Sequence, residues 1–61
     1  MKEITIIWIG KDGKEISREY TGDEDTPENR AALEEYINDT TEGLDAPEGW
    51  HQFDLVGEEV V

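Results

Sequence analysis

The chain has 61 residues, no cysteine and a formal charge of −12, from 17 acidic and 5 basic side chains. This length argues against a large core or an enclosed catalytic cleft, and the absence of cysteine rules out disulfides and thiolate metal sites. The charge opposes direct contact with nucleic acid or an anionic membrane surface. No apolar run reaches membrane-spanning length and the N-terminus lacks a secretory pattern, so a single cytoplasmic domain, residues 1–61, is expected.

Residues 1–21 hold four acids and four bases. Residues 22–61 hold thirteen acids and one base, Arg30, and therefore carry the whole net charge. The expected picture is a neutral scaffold followed by an acidic remainder.

The scaffold is a hairpin over residues 3–21. Ile4 to Ile9 is rich in β-branched and aromatic residues, and Glu15 to Tyr20 alternates polar with apolar. Asp12-Gly13 supplies the turn. Two registers compete. A two-residue turn pairs Ile7 with Arg18 and Ile9 with Ile16. A three-residue loop with Gly13 as a bulge pairs Gly10 with Lys14, Trp8 with Ile16 and Ile4 with Tyr20. The second is preferred, because it gathers Ile4, Ile6, Trp8, Ile16 and Tyr20 on one face. It sets Ile7 and Ile9 on the other face.

Thr21 to Asp25 reads as a polar turn. Thr26 reads as an N-cap and Pro27 as the first helical residue. The helix is expected over 27–41, with Gly43 left-handed beyond it and Leu44 folding back. At about 100° per residue, Leu33, Tyr36, Ile37, Thr40 and Leu44 form the inward stripe. Glu28, Glu35, Asp39 and Glu42 fall opposite, with Asp23, Glu24 and Asp25 near the helix N-terminus. Arg30 and Glu34 stand at i,i+4 spacing.

Trp50 to Val56 alternates and reads as a third strand, 50–56, with Phe53 and Leu55 inward. Residues 57–61 either fray or prolong it past a bulge at Gly57. The expected fold is a small α+β domain of order β-β-α-β. An antiparallel hairpin and a C-terminal strand form a sheet of order 2-1-3, with one helix on one face. A third strand parallel to the first makes this order resemble the first half of a β-grasp domain of the ubiquitin type, a likeness of architecture that implies no function.

No catalytic set emerges. His51 is the lone histidine, Ser17 has no base beside it, and no glycine-rich phosphate loop occurs. Asp23, Glu24, Asp25 and Glu28 lack the alternating ligands and the glycine of a calcium loop. Neither enzyme activity nor a metal or other cofactor is expected.

The expected function is binding to a basic protein surface, as in small phage or mobile-element inhibitors that mimic nucleic-acid charge and block a nucleic-acid-binding protein. The acidic residues Glu28, Glu35, Asp39, Glu42, Asp23, Glu24 and Asp25 would carry it. Ile7 and Ile9 would be apolar contacts on the open sheet face, with Trp50 either a third such contact or, the preferred reading, a lid over the edge of the core. Two alternatives stand beside this: a structural or designed mini-domain whose acid serves solubility, and a homodimer formed through the open sheet face.

Overall fold

The computed structural model describes residues 1–60; Val61 lies outside the described residues. The chain runs β1 (Lys2–Gly10), β2 (Glu15–Glu24), α1 (Pro27–Asp39) and β3 (Trp50–Glu59). The strands form one sheet of order β2-β1-β3, with the helix on one face.

Strand β1 is the most apolar and sits in the centre. Its even positions, Ile4, Ile6 and Trp8, are fully buried beneath the helix side. Ile6 and Trp8 pack with Ile37 of α1, and Leu44, Ala46, Trp50, Phe53 and Leu55 close around them. The Trp8 and Trp50 rings meet edge-on at 5.0 Å. Among the described residues Trp8 Nε1 is a buried side-chain donor without a hydrogen-bond partner.

The hairpin combines both expected registers. Its tip is the three-residue loop. Gly10 N–H donates to the Lys14 carbonyl at 2.9 Å, Gly13 N–H donates to the Gly10 carbonyl at 3.0 Å, and Gly13 has φ +80°. Ile9 accordingly pairs with Glu15. One step further the register shifts. Trp8 pairs with Ser17, Ile7 with Arg18 and Ile6 with Glu19, which is the register of the two-residue turn. Ile16 is the extra residue that absorbs the difference, a β-bulge. The preferred register thus holds only at the tip. Over the strand body Ser17 and Glu19 share the face of Trp8 and Ile6, while Ile16 and Tyr20 are left 47% and 58% exposed. Glu19 is satisfied there because its carboxylate accepts the Asp45 N–H from the loop after the helix.

Thr21 to Glu24 is not a turn but the end of β2. Gly22 takes φ +77°, the register shifts again between Thr5 and Glu3, and Thr21 Oγ1 donates to the Ile4 carbonyl at 2.7 Å. The irregular stretch stays attached because a side chain replaces the missing ladder bond.

Strand β3 runs antiparallel to β1, from Lys2↔Glu59 to Gly10↔Trp50, where a parallel strand was expected. A single helix makes one return pass over the sheet. It brings the chain back to the end where β2 began, so β3 runs with β2 and against β1. The parallel strand behind the likeness to a β-grasp domain is absent. The strand continues in register through Gly57; its irregularity lies at His51 instead.

The helix begins as read. Thr26 accepts the Asn29 N–H at 3.1 Å and Pro27 occupies the first turn. It stops at Asp39, because Thr40 is extended. Gly43 is left-handed, φ +84°, and Leu44 reaches the core. Tyr36 does not face the hairpin. It is 42% exposed, and its hydroxyl donates to the Glu42 carbonyl in the following loop. Thr40 is exposed as well, so the inward stripe is narrower than expected, with Ile37 its one fully covered helical member.

Candidate acidic interface

The candidate interface is built on α1, whose inward side is set by Leu33 and Ile37. That orientation turns Glu28, Glu34, Glu35 and Asp39 to solvent, together with Ala31 and Ala32. Among the described residues none of these four carboxylates has a basic partner within ion-pair distance. Shallow recesses lie between them, one lined by Ala31, Glu34, Glu35, Asn38 and Asp39, the next by Ala32, Glu35, Tyr36, Asp39 and Thr40. Both are open hollows on the surface of one helix, with no second wall to enclose a substrate.

The structure brings together only part of the expected acidic set. Glu28, Glu35 and Asp39 share the outward side of α1. Glu42 lies beyond the helix end, so helical spacing no longer places it on that stripe; it is exposed in the connecting turn. Asp23 and Glu24 are exposed at the end of β2. Asp25 is not available to a partner in the same way. Arg30 grips its carboxylate side-on, Nε to Oδ1 and Nη2 to Oδ2 at 3.1 Å, and the Asp25 side chain is only 17% exposed.

Arg30 therefore pairs with Asp25, five residues earlier, and not with Glu34. Its third contact is Nη1 to the Leu55 carbonyl of β3 at 3.0 Å. The hydrogen bonds and charge of Arg30 hold the Asp25 carboxyl below its ordinary value, with help from Lys2. The same pairing raises the Arg30 guanidinium. Gly57 makes the arrangement possible, since a Cβ there would overlap the Asp25 carboxylate, with Cγ at 3.1 Å.

The sheet face away from the helix differs from expectation too. Ile7 and Ile9 do point to that side, but Ile7 is only 7% exposed and Ile9 is half-buried. Arg18, paired opposite Ile7, spans this face. From β2 it binds Glu15 through Nε at 2.8 Å and reaches Glu58 on β3 through Nη1 at 3.3 Å. Its aliphatic stem thus lies across the sheet, as long cationic side chains do over apolar ground. Hydrogen bonding to Arg18 lowers the Glu15 carboxyl and raises the guanidinium. Trp50 is not on this face at all. It is half-buried on the helix side against Trp8, so it closes the core edge. The apolar contact surface expected from Ile7, Ile9 and Trp50 is not assembled.

Two acidic features escaped sequence reasoning. Glu34 is unpaired because Arg30 turns away from it, which no helical spacing signals. Glu24, Glu3 and Glu58 stand abreast across the three strands, Glu3 facing both others. Cross-strand neighbours sit about 5 Å apart, where like charges repel. Only strand pairing brings them together. Among the described residues no group of three or more His, Cys, Asp or Glu is placed to hold a metal ion, and no helix is long and apolar enough to cross a membrane.

No protein-family model, curated protein or solved structure matches this chain.

Proposed function

We propose that this protein is a non-enzymatic binding domain whose outward helix face occupies a basic, nucleic-acid-binding surface on another protein. In this reading it acts as small phage or mobile-element inhibitors do, with carboxylates meeting the partner's lysines and arginines. One observation carries the proposal: both arginines are committed to the sheet and its connections, while Glu28, Glu34, Glu35 and Asp39 face water with no basic partner within ion-pair distance among the described residues. Solubility alone favours interspersed signs.

The spacing favours a basic patch over a long phosphate track. Glu28 to Asp39 spans about 16 Å at a rise of about 1.5 Å per residue. Duplex DNA carries about ten charges over that length, and the helix face offers four carboxylates. Exposed Tyr36 beside Glu35 and Asp39 adds an aromatic face for a partner guanidinium.

The test is capture from a bacterial lysate at low and high salt, with Glu28→Lys, Glu35→Lys and Asp39→Lys combined as the control. Capture should fade with salt and vanish in the triple variant while its circular dichroism is unchanged. The captured protein should lose DNA binding in the presence of the chain. If the triple variant captures the same protein equally well, the helix face is a solubilising surface and the reading is wrong.

A further inference from the structure

Strand β3 changes character at Leu55. Before it, Trp50, Phe53 and Leu55 itself pack into the core. After it, Gly57 has no side chain, Glu58 and Glu59 are exposed, and Val56 lies half-buried on the face that no helix covers. Apolar burial therefore does little for Val56 to Glu59. Besides the ladder to β1 and the Val60 N–H on the Met1 carbonyl at 2.9 Å, ions flank this segment on both sides of the sheet. On the helix side Arg30 binds the Leu55 carbonyl and seats Asp25 over Gly57. On the opposite face Arg18 binds Glu58. At the end the terminal ammonium of Met1 meets Glu59 at 3.1 Å.

We propose that Val56–Glu59 is an ion-latched segment that opens as a unit ahead of the rest of the domain, with Arg18 and Arg30 as its two latches. The groups around each latch set its sensitivity. Arg30 faces Asp25 and feels Asp54 on β3, and Asp25 also feels Lys2 on β1. Arg18 faces Glu15 on its own strand and Glu58 on β3. Glu58 has Glu3 directly opposite and Glu24 one strand further, so without Arg18 three carboxylates stand uncompensated in a row. Opening frees the β1 edge from Lys2 to Thr5 and uncovers Ile4, which is fully buried when the latch is shut. This inference is independent of the binding function proposed above.

Amide hydrogen exchange by NMR on the full chain tests it, with Arg18→Gln and Arg30→Gln separately. Each substitution should speed exchange of the Lys2–Thr5 and Val56–Glu59 amides about two- to fivefold, the scale of an exposed ion pair, as a local opening. In Arg18→Gln the amides of α1 and of Trp50–Phe53 should keep their protection. Arg18 lies on the sheet face away from the helix, so its variant reports the local effect even where Arg30→Gln loosens the helix. Raising salt to about 0.5 M should act on the same amides of the wild type, because exposed pairs are screened. Uniform acceleration over all strands, or no change at residues 56–59 in Arg18→Gln, would overturn the proposal.

Discussion

The two outer strands pair with the same central strand but are held to it by different physics. β3 sends Trp50, Phe53 and Leu55 beneath the helix and makes most of the core with β1. β2 sends Ser17, Glu19 and Thr21 to that face and leaves Ile16 and Tyr20 in water. It is held by its ladder, by Thr21 on the Ile4 carbonyl and by Glu19 on the Asp45 N–H. The helix thus sits over the β1–β3 pair, and the hairpin partner is the peripheral strand. A hairpin that forms locally need not carry the core; here the contacts made last along the chain do.

Truncating one aromatic on each strand gives the largest expected contrast. Phe53→Ala should cost about 2–3 kcal/mol, because its half-buried ring packs against Trp8. Tyr20→Ala, at a largely exposed position, should cost less than about 1 kcal/mol. Urea unfolding midpoints check both, and equal costs would erase the distinction between the strands.

Glycines sharpen the comparison at a smaller scale. Gly57→Ala on β3 drives a Cβ into the Asp25 carboxylate and should destabilise by about 1–3 kcal/mol. Gly10→Ala at the tip of β1 meets Ile16 Cγ2 and Asp12 Oδ1 at ordinary contact distance, 3.4 Å, and should shift the midpoint far less. Thermal melts of the two variants decide the order.

The smallest effect is a pH dependence. Arg30 lowers the Asp25 carboxyl in the folded state. Its contribution is therefore fully present above the unfolded carboxyl value and is lost as pH falls through the folded one. The stability gap between the wild type and Asp25→Asn should be constant near neutral pH and shrink steadily below about pH 4. Comparing the two proteins at each pH cancels the relief of general carboxylate repulsion, which acts on both. A gap that widens with acid would contradict the ion pair as the source of the stability.

The acidic face was partly legible in the chain. Thr26-Pro27 announces a helix start, and the spacing of Leu33 and Ile37 orients it, so Glu28, Glu35 and Asp39 follow as its outward residues. Helical spacing does not place Glu42, because the chain leaves the helix at Thr40, two residues before the expected end, and nothing in Thr40-Thr41 forces that exit. Asp25 was misassigned because its partner lies five residues on and its seat, Gly57, lies on another strand.

Local chemistry alone set the element types, the loop at Lys11-Asp12-Gly13, the cap at Thr26 and the confinement of net charge to residues 22–61. Each depends on neighbours within a few positions. Tertiary packing decided the direction of β3, the one-residue slip at Ile16 and the destinations of Arg18 and Arg30. Those outcomes turn on a single helix's return path and on which face of β1 it covers. A slip of one residue inverts a strand's faces at almost no local cost, so only the assembled core can choose between them.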